Sequence, residues 1–128
     1  MRKFLLILAA FFALAAAPVF AAKAFAPYDK TALDTSIKSG APVIVHVHAE
    51  WCTVCRRQIS VLDELLRDPK FAKIQTVRVN YDRDRDFVSA YKIKRQATIL
   101  TFKGGQEVAR LEYNADSDRI RSVVAAAH

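Results

Sequence analysis

Pro42-Val43-Ile44-Val45-His46-Val47-His48-Ala49-Glu50-Trp51-Cys52-Thr53-Val54-Cys55 is the stretch on which the reading of this chain turns. Its first half is a nearly continuous apolar, β-branched run preceded by Gly40 and Pro42, the pattern of a buried strand in a parallel or mixed sheet. Its second half opens a helix. Cys55, Ile59, Leu62 and Leu66 recur at spacings of four, three and four and mark one apolar face. Asp68-Pro69 ends that helix, because proline pushes the residue before it out of the α region. The two cysteines therefore fall at a strand-to-helix junction, with Cys52 expected to be exposed at the helix tip and Cys55 to lie one turn in. Unpaired backbone N–H groups and the helix dipole stabilise a thiolate at such a helix start. A stabilised thiolate is both a nucleophile and a good leaving group.

Working outward, Asp29 is placed to cap a helix carrying Leu33 and Ile37 that stops at Gly40. Ile74 to Asn80 alternates as a strand, and Phe87 with Tyr91 marks a short helix. Residues 98–102 and 107–113 read as a hairpin around Gly104-Gly105, and Asp116 as the cap of a last helix with Ile120, Val123, Val124 and Ala127 on one face. A short strand is expected near Phe25. With 128 residues, 52% of them hydrophobic, and only three glycines and four prolines, the chain suits one domain without a long linker.

The segment from Val43 to Gln58, with Ala49-Glu50-Trp51-Cys52 at its turn, resembles the active-site segment of the thioredoxin family. Val77-Arg78-Val79-Asn80-Tyr81-Asp82 is similar to that family's next parallel strand and its exit. Tyr91-Lys92-Ile93 with Thr98-Ile99-Leu100-Thr101-Phe102-Lys103-Gly104-Gly105 is similar to its final hairpin. The resemblance covers residues 25–127 and implies an α/β thioredoxin-like sandwich, a central mixed sheet covered by helices on both faces. It also implies a protein thiol-disulfide oxidoreductase: Cys52 attacks a substrate disulfide, Cys55 resolves the mixed disulfide, and no cofactor is needed beyond the cysteine pair. Trp51, Gln96, Ala97 and Thr98 then fall where the substrate chain would lie.

Two departures from the family pattern stand out. Where thioredoxins carry a cis-proline before the hairpin, the order here is Arg95-Gln96-Ala97-Thr98. A cis bond before a non-proline residue costs ~2.5 to 4 kcal/mol, so the bond before Ala97 is expected to be trans and the sulfurs less shielded. On that reading, Ala97→Pro would restore a family-like surface. Where thioredoxins bury an aspartate six positions before the first cysteine, this chain has His46. An imidazole titrating near neutrality there would relay the proton of Cys55. His48 shares its strand face and is expected to approach Cys52.

His46, His48, Cys52 and Cys55 also compose a second reading, a zinc- or copper-binding carrier. A structural disulfide is a third, disfavoured because a loop with two intervening residues restrains little chain entropy. Redox exchange is the reading the sequence favours.

Arg2 and Lys3, the uncharged run from Phe4 to Ala17, Pro18 and small residues up to Ala22 have the layout of a secretory signal peptide over residues 1–22. An uncleaved N-terminal anchor is the alternative, since the charge-free run from Phe4 to Ala22 is long enough to span a bilayer. Either way the globular part is expected in the periplasm. Losing Arg2 and Lys3 leaves 18 of the 20 basic residues against 13 acidic ones, and the net charge falls from +7 to +5. Those charges are scattered, as in Asp82-Arg83-Asp84-Arg85-Asp86, which argues against nucleic acid as a partner. Thr53-Val54 adds no cation between the cysteines, so the direction of redox chemistry is open within the fold. The thioredoxin-like turn leans towards a reductant. The expected partners are disulfide-bearing exported proteins and a membrane electron-donor protein, with the chain acting as a monomer.

Overall fold

The computed structural model describes residues 24–128, and the expected signal or anchor of residues 1–22 lies outside them. Five strands form one mixed sheet: β1 (Ala26–Pro27), β2 (Val43–His48), β3 (Gln75–Asn80), β4 (Thr98–Lys103) and β5 (Gln106–Glu112). Their spatial order is β1-β3-β2-β4-β5. β3 pairs parallel with both β1 and β2, whereas β4 runs antiparallel to β2 and β5 antiparallel to β4. The helices are α1 (Lys30–Lys38), α2 (Thr53–Leu65), α3 (Arg85–Ala90) and α4 (Ser117–Ala125). Among the described residues, no helix is long and apolar enough to cross a membrane.

β2 sits at the centre of the sheet, and all six of its residues are buried. Successive side chains point to opposite faces, so the strand supplies two cores at once. Val43, Val45 and Val47 pack with Leu33 and Ile37 of α1 and Phe87 and Val88 of α3. Ile44 packs with Leu62 and Leu65 of α2 and Ile120 and Val124 of α4. Burial of a side chain of this size stabilises by roughly 1.5 to 3 kcal/mol, which is why the run reads as uninterrupted hydrophobe except where chemistry intervenes. The exceptions are His46 and His48, both on the α2 and α4 side.

The expected caps are in place. Asp29 accepts from the Ala32 N–H at 2.8 Å and Asp116 from the Arg119 N–H at 3.0 Å, contacts each worth about 1 kcal/mol. α2 ends at Leu65, and Asp68-Pro69 starts a separate 3-10 turn over Pro69–Phe71. Gly104 and Gly105 both adopt positive φ, +63° and +82°, the demand of a two-residue hairpin turn between twisted strands. Thr101 on β4 donates its hydroxyl to Val123 O at 2.8 Å, tying α4 to the sheet.

One apolar stripe differs from its expectation. On α2 the buried positions are Cys55, Gln58, Leu62 and Leu65, fully inward, whereas Ile59 is only half-buried. A glutamine thus occupies a core position directly over the histidine face of β2.

Candidate active site: a disulfide over two buried histidines

β2 ends at His48, the chain turns through Ala49-Glu50-Trp51, and α2 begins at Thr53. Cys52 is the N-cap residue, with extended backbone, and its Sγ accepts the Cys55 N–H at 3.0 Å. Cys52 and Cys55 are joined as a disulfide with Cα atoms 5.2 Å apart. The same N–H and the positive end of α2 are available to the Cys52 thiolate once the bond is reduced, which lowers the cost of charge on that sulfur. Arg56 reinforces the turn: its guanidinium donates to Glu50 O at 3.1 Å and to Thr53 Oγ1 at 3.2 Å.

Contrary to expectation, Cys52 is not exposed. It is 3% accessible and belongs, with Ala49, Cys55 and Ala97, to a small buried cluster. The cause is the loop before β4. The peptide bond before Ala97 is trans, as no cis bond occurs among the described residues, yet Ala97 still covers the sulfurs. Its N–H donates to Val47 O at 2.8 Å, and its carbonyl accepts from the Tyr113 N–H at 2.8 Å and from Gln58 Nε2 at 2.9 Å. Those bonds hold Ala97 at φ +60°, a left-handed conformation that costs an L-residue roughly 1 to 2 kcal/mol. Shielding here comes from backbone anchoring in place of a proline ring. It also overturns the expectation for Ala97→Pro, since proline is confined to φ near −65° and has no N–H to give Val47.

His46 is fully buried and lies 2.9 Å from Gln58 Oε1 through Nε2. The orientation of the Gln58 amide is settled by its nitrogen, which donates to both Ala97 O and Asn114 O, at 2.9 and 3.0 Å. Its oxygen therefore faces His46, the proton sits on His46 Nε2, and Nδ1 keeps a lone pair with no partner. Burial pushes the His46 pKa down to about 3, against the opposing effect of the Gln58 hydrogen bond, with His48 and Arg78 adding lesser downward pushes. The ring is neutral with the disulfide formed, so titration near neutrality does not hold for that state. Burial, Arg78 and Arg56 lower the His48 pKa as well, against the opposing charge of Glu50.

His48 does share the face of His46, with ring centroids 5.6 Å apart. Its convergence is with Cys55, however, not with Cys52. One ring nitrogen of each histidine and Cys55 Sγ all lie within 4.8 Å of one another. Cys52 does not complete this group as a fourth ligand. With the disulfide formed, the Cys55 sulfur is committed to Cys52 and offers a metal no thiolate in that state; the metal-carrier reading is not favoured.

Trp51 is 61% exposed beside the disulfide, held by a hydrogen bond from Nε1 to Asp82 Oδ2 at 2.9 Å. Gln96 lies at the rim of the buried loop. Thr98 is displaced from the role expected of it: it is fully buried as the first residue of β4, and its hydroxyl donates to Arg95 O at 2.8 Å, leaving no side-chain donor for a substrate. The residue that the sequence reading passed over is Gln58. Its signal was a polar side chain three residues after Cys55 and four before Leu62, on the apolar stripe itself.

Comparison with known proteins agrees with this geometry. The family model described as Thioredoxin matches residues 24–126. The chain is 32% identical over 79 residues to a thioredoxin of Rickettsia bellii and 38% identical over 80 residues to thioredoxin 1 of a Nostoc species. In both cases the match spans 62% of this chain and 74% of the relative. Among solved structures, Trxlp from Edwardsiella tarda superposes with a TM-score of 0.73 at 30% identity, over 78% of this chain and 98% of that one. A thioredoxin of Malassezia sympodialis, 18% identical with a TM-score of 0.71, shares the fold. The chain belongs to the thioredoxin family, and its Cys52–Cys55 pair is that of a thiol-disulfide oxidoreductase.

Proposed function

We propose that this protein reduces disulfides of exported proteins, cycling between the Cys52/Cys55 dithiol and its disulfide. The observation that carries the reading is the pair itself: a disulfide at the amino end of α2 whose outer sulfur already accepts a backbone N–H. In the reduced protein, the Cys52 thiolate attacks one sulfur of a substrate disulfide, and that S–S bond breaks as a mixed disulfide forms. The departing substrate thiolate takes a proton. Cys55 then gives up its proton and attacks Cys52 Sγ, releasing the second substrate thiol. Two electrons pass from the cysteine pair to the substrate, and no cofactor enters.

His46 is the acceptor best placed for the Cys55 proton, because Gln58 occupies Nε2 and leaves Nδ1 free. Its low basicity belongs to the disulfide state. A thiolate within 4.8 Å attracts an imidazolium by roughly 3 to 4 kcal/mol at an effective dielectric constant near 20, more than two pKa units. Cys55 and His46 therefore titrate as a coupled pair. Trp51 and Gln96 flank the approach to Cys52, which Ala97 covers. Export is supported by the layout of residues 1–22, and an exported reductant requires a membrane protein to return electrons to the Cys52–Cys55 disulfide.

The test is a trap. In Cys55→Ser the mixed disulfide has no resolving thiol, so exported proteins should accumulate as reducible adducts on Cys52. Absence of adducts in the periplasmic fraction, with the variant folded and Cys52 reduced, would remove the proposal.

A further inference from the structure

Behind the histidines a cavity of about 420 Å³ opens between β1, the end of β3 and the turn after β2, lined by Phe25, Tyr28, His48, Glu50, Arg78 and Arg83 among others. Two of its lining side chains carry buried nitrogens without partners. Arg78 Nε has no hydrogen bond, and no carboxylate lies within ion-pair distance of Arg78 among the described residues. His48, 6% accessible, leaves Nδ1 unpartnered. A buried donor left unpaired costs about 1 to 3 kcal/mol, more when charged, so Arg78 Nε–H calls for an acceptor that the chain does not supply, and His48 Nδ1 does so in the tautomer that carries its proton there.

We propose that this cavity binds a small organic carboxylate. The Nε and Nη edge of a guanidinium matches the two oxygens of a carboxylate. His48 can add a third donor, since its Nε2 is 3.8 Å from Glu50 Oε1, too far for a hydrogen bond, and the ring is free to carry its proton on Nδ1. Arg83 adds positive charge at the wall. The acidic groups limit the total: Glu50 lines the cavity and Asp84 lines it while accepting the Asn80 N–H at 2.6 Å. A monoanion fits that balance better than a phosphate dianion. Phe25, Pro27 and Tyr28 supply an apolar wall for the body of the acid. The site touches the redox centre through His48, whose ring lies with His46 and Cys55, so an occupant would screen the Arg78 charge that bears on both histidines.

The experiment follows the Arg78 Nε–H and His48 ring resonances of the oxidised full-length chain during titration with acetate, propionate and butyrate at constant ionic strength. Saturable shifts of both residues are expected, with affinity rising along the series, and at least tenfold weaker binding in Arg78→Gln, as for loss of a charged hydrogen bond. Arg78→Lys keeps the charge without the fork and should also weaken binding. Shifts matched by chloride, tighter binding of inorganic phosphate than of acetate, or undiminished binding in both variants would each overturn the proposal.

Discussion

Gln58 holds His46 from above: its side-chain oxygen, on α2, sits 2.9 Å from the ring nitrogen of a strand residue twelve positions earlier. Because the same amide also donates to Ala97 O and Asn114 O, one side chain sets the histidine tautomer, the loop over the sulfurs and the start of α4's approach. The helix that presents the cysteines is thus also the helix that orders what lies beneath them.

Gln58→Met keeps the volume and removes all three hydrogen bonds. It leaves the buried His46 ring N–H and Asn114 O short of a partner, at about 1 to 3 kcal/mol each, while Ala97 O keeps the Tyr113 N–H. Denaturant unfolding should show a loss of about 2 kcal/mol or more. A loss below about 1 kcal/mol would mean that water replaces the amide.

The depressed pKa of His46 fixes the sign of a pH effect. Unfolded, the ring titrates near 6.5; folded with the disulfide intact, near 3. Its contribution to stability is complete above pH 6.5 and is lost as pH falls from there towards 3, because the unfolded chain takes up the proton first. The oxidised protein should lose up to about 1.4 kcal/mol per pH unit in that window from this group. His46→Gln should flatten the slope relative to the parent while His48 retains its own part. Equal slopes in parent and variant would show that His46 is not protonated on unfolding.

Cys52 should be the sulfur that reacts first in the reduced protein. It holds the N-cap position, while Cys55 is fully buried. Limiting alkylating reagent at neutral pH should modify Cys52, as read by peptide mass. Preferential modification of Cys55 would exchange the two roles.

Ala97→Pro should weaken the protein. It removes the N–H held by Val47 O and demands a φ opposite in sign to the +60° observed. A loss of at least about 2 kcal/mol is expected, with slower disulfide exchange. Ala97→Gly should be tolerated, since glycine adopts the left-handed region without penalty. A stabilised Ala97→Pro would show that the loop can be rebuilt around a cis bond.

What the sequence disclosed depended on whether the cause was local. The β-branched run of β2, the caps Asp29 and Asp116 and the paired glycines of the hairpin act within a few residues, and each was legible. So was the cysteine pair at a strand-to-helix turn. The burial of Cys52 has no local cause, because its cover comes from Ala97, 45 positions on in the chain. The basicity of His46 depends on total burial under α2, which no local pattern reveals. Gln58 is not legible as a core residue, because the apolar pattern runs through Ile59, its hydrophobic neighbour, whereas the polar residue is the one facing inward.

The anchoring of Ala97 gives the site a clock. Its amide proton is bonded to Val47 O, and its carbonyl holds the amide proton of Tyr113. Lifting the loop off the sulfurs breaks both bonds in one event. The two amides should therefore exchange with deuterium at a common opening rate, distinct from that of the β2 core. That shared rate measures how often the disulfide is uncovered to a partner.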